Sequence, residues 1–190
     1  MDHNREKEWQ VRQELQEYED FLEDLVSNKK SRIFTNRSIE HAATSMSKMF
    51  KYTNDIVRMY CNGLDPKITE QESYLSFFRK LLEDPRRIRL NLLVCTTDFI
   101  NGKAFQKVID TKKERNDDTI KIRKITPENR DKLNKSFDLD NCNLSIFDND
   151  KYRLEIDPDK YTAIGSFNDE DSTKKLINRF DEAFDCAEII

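Results

Sequence analysis

Histidine is nearly missing from this chain: His3 and His41 are the only two among 190 residues. That scarcity leaves no paired-imidazole constellation for metal ligation or for phosphoryl transfer. Glycine and proline are also short, at three and four residues. Long flexible linkers and an all-β fold with its many turns are thereby disfavoured. No run approaches the roughly 18 apolar residues of a spanning helix, and no apolar secretion segment opens the chain. The four cysteines, Cys61, Cys95, Cys142 and Cys186, stand far apart without CxxC spacing, which fits buried free thiols better than structural zinc. A net charge of −4 gives no global pull on nucleic acid. These absences lead us to expect a soluble cytoplasmic protein with no membrane contact, no metal and no cofactor.

What is present is charge set in helical and strand periods. Charged residues make up 37% and apolar residues 36%, enough for one core plus an appendage. From Arg5 to Ser27, Val11, Leu15, Tyr18, Leu22 and Leu25 recur at alternating steps of four and three, the seam of a coiled coil. Such a helix either docks along its own domain or pairs with another chain. We therefore divide the chain into a coiled-coil-like helix, 1–30, and an α/β domain, 31–190.

Within the second unit the periods alternate. Thr35, Asn36 and Ser38 are candidate caps for a helix to about Phe50, buried through Ala42, Met46, Met49 and Phe50. Residues 55–61 read as a strand stopped by Asn62-Gly63, and Ser73 to Leu82 as a helix ended by Pro85. Arg89 to Val94 is the most apolar run, a strand buried on both faces. A helix from Asp98 to Lys113 and a strand at 119–125 follow, then a short helix from Pro127. Crossovers between strands near 55, 89 and 119 imply parallel pairing. Leu144, Ile146 and Phe147 mark another strand, Asp148-Asn149-Asp150 a turn, and Tyr152, Leu154 and Ile156 a half-buried strand whose other face carries Arg153, Glu155 and Asp157. A last helix closes the chain through Leu176, Ile177, Phe180 and Phe184.

The stretch from Asn141 to Asp169 resembles the active-site half of the phospholipase D-like phosphodiesterases, whose motif is His-x-Lys-x4-Asp followed by Gly-Ser-x-Asn. Here Asn141 falls on the His, Asn143 on the Lys, Asp148 on the Asp, and Gly165 to Asn168 on the trailing motif, with Ser166 and Asn168 as its polar members. The resemblance implies an α/β fold with a mixed, mainly parallel sheet and helices on both faces. It also implies a reaction in which one His attacks phosphorus, a second protonates the leaving group, and Lys with Asn neutralises the phosphate. An asparagine amide has no available lone pair for attack and Asn143 brings no charge, so the ordinary hydrolysis is not expected. We expect no catalytic residue, a non-catalytic binding subunit with a regulatory or accessory role, in bacterial defence or nucleic-acid processing, and a homodimer or a protein partner through the N-terminal helix. Residual phosphodiesterase or nuclease activity using His41, and nucleic-acid binding without hydrolysis, are the alternatives. For the latter, Lys29-Lys30-Arg32, Arg86-Arg87-Arg89 and Lys121-Arg123-Lys124 supply the basic side chains.

His41, Arg153 and Glu155 are the candidate pocket. An ion pair between Arg153 and Glu155 is structural by default, and a buried one next to Ser166 is a binding-site candidate. Ser166 and Asn168 are candidates for a pocket at the carboxyl ends of the strands, while Asn168 or Asp169 can also cap the last helix, a role favoured for Asn168.

Overall fold

The computed structural model describes residues 3–61, 66–97 and 102–190. The expected stop at Asn62-Gly63, the loop start at Asp65 and the helix start at Asp98-Phe99 lie outside the described residues, as does the side chain of His3. Helices are α1 (His3–Ser27), α2 (Ile39–Lys51), α3 (Pro66–Thr69), α4 (Glu72–Leu82), α5 (Lys103–Arg115), α6 (Pro127–Ser136) and α7 (Glu170–Asp185). Strands are β1 (Phe34–Asn36), β2 (Ile56–Cys61), β3 (Arg89–Val94), β4 (Ile120–Lys124), β5 (Asn143–Phe147), β6 (Lys151–Asp157), β7 (Thr162–Ser166) and β8 (Glu188–Ile189).

The strands form one mixed sheet in the order β1-β7-β6-β5-β2-β3-β4-β8. Helices cover both faces, as expected. The sheet is not mainly parallel, however. Parallel pairing joins only β2, β3 and β4, through their crossover helices, and the other described pairings are antiparallel. Strands joined by tight turns, as β5 and β6 are at Asp148–Asp150, can pair only antiparallel.

Two cores follow from the two faces. Val57, Met59, Leu90, Leu92, Ile122 and Phe147 meet α1, α2, α4 and α5 on one side. Tyr60, Leu93, Leu144, Ile146, Tyr152 and Leu154 meet α6 and α7 on the other. The second half of α1 belongs to the first core, since Leu22 and Leu25 are fully buried there. Lys48 of α2 fastens it by bonding Glu19 at 2.9 Å and Glu23 at 2.7 Å. Hydrogen bonds from Lys48 and Tyr52 hold the Glu23 carboxyl down at about 2. The seam thus docks on its own domain from Tyr18 onward, while Trp9 and Val11 stay exposed.

Several local expectations need correcting. Thr35 and Asn36 are not caps but strand residues; Ser38 alone caps α2, accepting from the His41 N–H at 3.1 Å. Asp169 rather than Asn168 caps α7, accepting from the Ser172 N–H at 3.0 Å. The Arg153/Glu155 face of β6 is not wet, because α2 and its neighbours close over it. Cys186 is exposed, whereas Cys61 and Cys142 are buried. No described helix is long and apolar enough to cross a membrane.

Gly165 shows how tightly the antiparallel half is drawn together. A Cβ there would sit 2.5 Å from the Phe34 ring and 2.5 Å from the Tyr152 carbonyl oxygen. Backbone cannot yield as a side-chain tip can, so overpacking strain is unavoidable. Gly165→Ala is expected to cost about 1–3 kcal/mol, read as a lower urea midpoint with unchanged slope; an unchanged midpoint would disprove the close packing.

Candidate functional site

Strand register brings the site together. Asn143 faces Glu155 across β5–β6, Ser145 faces Arg153, and Arg153 in turn faces Gly165 on β7. Alternation along each strand puts Asn143, Ser145, Arg153 and Glu155 on one side of the sheet. Asn36 arrives on the same side from β1, whose three residues pair with β7.

The side chains form one continuous network. Arg153 donates from Nε to Asn36 Oδ1 at 3.2 Å and from Nη2 to Glu155 Oε1 at 3.0 Å. Asn143 donates from Nδ2 to Glu155 Oε2 at 2.5 Å, and Asn36 donates from Nδ2 to the Tyr161 carbonyl oxygen at 2.6 Å. Arg153 and Glu155 are only 5% and 4% exposed. Moving two opposite charges out of water costs several kcal/mol per ion, and only close pairing with added hydrogen bonds offsets that. Asn36 and Asn143 supply those added bonds, one for each charge.

Beside the network lies a cavity of about 100 Å³, walled by Met46, Met59, Ile68, Tyr74 and Tyr161. It opens where β2 ends and β5 begins, at the carboxyl ends of the parallel strands, where open α/β sheets bind ligands. The Tyr74 hydroxyl is buried without a hydrogen-bond partner among the described residues, and burial pushes its pKa up.

The other expected residues go elsewhere. Asn141 is exposed just before β5. Asp148 sits at the opposite, amino end of the parallel strands. There its carboxylate accepts from the backbone N–H groups of Asn54, Asp55 and Ile56 at 3.0, 2.9 and 3.2 Å. Lys151 lies 3.2 Å from it. Burial works to raise the Asp148 pKa, but the three amides and the ammonium outweigh it and hold the group below the usual range. Ser166 and Asn168 occupy this same amino end, because Ser166 pairs with Tyr152 just after the hairpin. They are therefore not at the carboxyl ends, and Ser166 does not share a face with Arg153. Ser166 Oγ accepts from the Asn168 N–H at 3.4 Å, and Asn168 donates to the carbonyls of Leu25 and Lys30, tying down the end of α1. His41 stacks on Tyr18 at 4.0 Å between ring centroids, and burial lowers its pKa against the pull of Glu40 and Glu14. It does not line the cavity.

Chemically, the cluster offers donors, a carboxylate and no imidazole. Among the described residues no group of three or more His, Cys, Asp or Glu could hold a metal ion. Sequence reading missed Asn36, Tyr74 and Tyr161. For Asn36, a polar residue two places after Phe34 in an otherwise extended segment was the available signal; for the two tyrosines there was none.

No family model matches the sequence, and no curated protein matches it. Solved structures do match in fold. TrmBL2, an archaeal chromatin protein with a novel mode of DNA binding, is 14% identical with a TM-score of 0.58. That match covers 98% of this chain but only 65% of TrmBL2, so this chain spans less than two thirds of that protein. Nuc from Salmonella typhimurium, a phospholipase D family member, is 10% identical over 84% of this chain and 97% of its own, with a TM-score of 0.55. NucT from Helicobacter pylori is 9% identical over 84% and 98%, with a TM-score of 0.54. The chain therefore has the phospholipase D-like fold.

The Asp148 clamp generates a pH-dependent prediction. Because its folded pKa is depressed, its stabilisation is present above the ordinary aspartate value of about 3.9 and is lost as pH falls through the folded value. Asp148→Asn should cost about 2 kcal/mol near neutrality, as expected for charge-assisted bonds. The gap between variant and wild type should close below about pH 3.9. Equal loss at every pH, followed by denaturation at several pH values, would rule out the charged clamp.

Proposed function

We propose that this chain is a non-catalytic phospholipase D-like module that serves as a regulatory or accessory binding subunit in a cytoplasmic, nucleic-acid-associated system. One observation carries it: Asn143, at the position of the motif lysine, donates to Glu155, which is itself ion-paired with Arg153. A phosphodiester entering beside Asn143 would meet a buried carboxylate instead of a free cation, and like charges close together in a poorly hydrated site repel strongly. No described histidine stands in reach to attack phosphorus. Purified protein assayed on a generic phosphodiester and on DNA and RNA, with and without Mg²⁺, is expected to show no turnover above buffer. His41→Ala should change nothing. Turnover that His41→Ala abolishes would overturn the non-catalytic reading.

Nucleic-acid binding without hydrolysis is the second reading, favoured by the likeness to TrmBL2. The basic clusters weigh against a broad phosphate-binding face. Arg86, Arg87 and Arg89 each pair with an acid, Asp84, Asp117 and Asp55, at 2.7, 2.8 and 2.5 Å. Arg123 bonds the Phe184 carbonyl at 2.7 Å, and Lys30 bonds Asp24 at 2.6 Å.

The division at residue 30 is part of the same proposal. TrmBL2 matches more of the chain than Nuc does, and the difference is about the length of α1. The proposed homodimer uses the exposed half of that helix, at Trp9 and Val11. Removing all of α1 would uncover Leu22 and Leu25, so a point change is the cleaner test. Light scattering should give a dimer mass for the full chain and a weakened dimer for Val11→Glu. A full chain that stays monomeric as concentration rises rejects the assembly.

A further inference from the structure

Resting on the non-catalytic reading above, we propose that the cavity beside Arg153 and Glu155 is a binding site for a small uncharged lactam heterocycle, a single six-membered ring of the uracil type. The polar and apolar parts of the cavity are segregated. Arg153, Glu155, Asn143 and Ser145 rise from adjacent strands of one sheet face and form the polar part of its floor, with Met59 of β2 next to Ser145 as the apolar part, whereas Met46 of α2 and Ile68 of α3 contribute apolar surface from the helices. A ligand that fits has one polar edge and apolar faces.

The floor also sets the order of that edge. Arg153 spends one N–H on Asn36 and one on Glu155, and no acceptor among the described residues meets the rest. The Glu155 carboxylate stands next to it and can accept further bonds, since two oxygens carry about four acceptor sites. Donor beside acceptor is the complement of a lactam, in which a carbonyl adjoins an N–H. The Tyr74 hydroxyl gives a third contact from the wall: of the five buried side-chain polar atoms without a partner among the described residues, it alone belongs to a residue that lines this cavity.

Charge and size narrow the class. Arg153 and Glu155 are the only charged side chains among the described lining residues and cancel each other. An ion entering would carry its own desolvation cost with no free counter-charge, which disfavours phosphate and carboxylate ligands. About 100 Å³ admits a single ring and not a whole nucleotide.

The test is calorimetric titration of the full chain with uracil, 1,3-dimethyluracil and inorganic phosphate, plus a short deoxyuridine oligonucleotide. Uracil should bind with an affinity indifferent to salt. The dimethylated ring, which keeps both carbonyls and lacks both N–H groups, should bind at least about tenfold more weakly, the loss of one well-made hydrogen bond. Oligonucleotide binding in addition would mean that the ring can be an unpaired base in a strand; uracil alone would mean a free base. Tyr74→Phe keeps the ring that packs on Phe50 and Phe78 and deletes only the orphan hydroxyl. It should melt no lower than wild type and lose about tenfold in affinity. If that variant misfolds, hydrogen exchange on the wild type decides, with uracil expected to slow residues 143–147 and 151–157. Absence of uracil binding, equal binding of 1,3-dimethyluracil, phosphate binding in its place, undiminished binding by folded Tyr74→Phe, or slowing confined to other strands would each overturn the proposal. Phosphodiesterase turnover would overturn the reading beneath it, and the two failures are separately visible.

Discussion

The ion pair between Arg153 and Glu155 is the constraint around which the antiparallel half of the sheet is arranged. It lies on a strand that is buried on both faces, so neither charge can turn to water. A pair in that position adds little to stability by itself and becomes a heavy liability when either partner loses its surroundings. Its surroundings come from far apart in the chain. Asn36, at the edge of the sheet, meets Arg153, and Asn143, at the start of β5, meets Glu155. The short strand β1 thus has a task beyond extending the sheet: it carries the acceptor for the guanidinium Nε–H. The bond from Asn36 to the Tyr161 carbonyl then anchors the turn after β6, where Tyr161 takes a left-handed backbone.

The two ends of the sheet are specialised in opposite ways. At the amino ends of the parallel strands, Asp148 gathers three consecutive backbone N–H groups, and Asn168 gathers two carbonyls from the end of α1. Those polar groups are spent on holding the chain. At the carboxyl ends, the Tyr74 hydroxyl and part of the Arg153 guanidinium are left over beside a cavity. The motif-like residues from Asn141 to Asn168 are split between these ends, so their shared sequence spacing does not make them one site. Asp148, Ser166 and Asn168 are structural in their contacts, and Asn143 alone joins the pocket.

Sequence periods made much of this fold legible, for particular reasons. Arg89 to Val94 is apolar enough to be a central strand in any arrangement, and Ser73 to Leu82 spaces its aromatics for a helix. The turn at Asp148–Asp150 has residues that tolerate a left-handed backbone, and Asp148 adopts one. What stayed hidden depends on distant partners. Three residues of β1 are too few to show a period, and its Thr and Asn look like caps. Arg153 and Glu155 alternate with apolar residues as a wet face does, and only the helix above them and Asn36, 117 positions away, make that face dry. The α1 seam looked like a pairing surface, yet half of it was already committed to Lys48, Tyr52 and the core beside α2.

The same electrostatics weigh against a phosphate site on this strand face even with a cation added there. A lysine at position 143 would have Glu155 as its nearest neighbour across the strand pair, since those two residues are in register. It would compete with Arg153 for the carboxylate before any substrate arrived, and three groups with a net charge of +1 would share a space built for two. A histidine at position 141 would stand exposed at the entrance to β5, ahead of Asn143, where the pairing with β6 begins. Placing a phosphate-binding centre on this strand face therefore means removing Glu155, and with it the partner that makes buried Arg153 tolerable. A free cation at position 143 and the Arg153–Glu155 pair compete for one carboxylate on a single strand face, so that face holds one or the other.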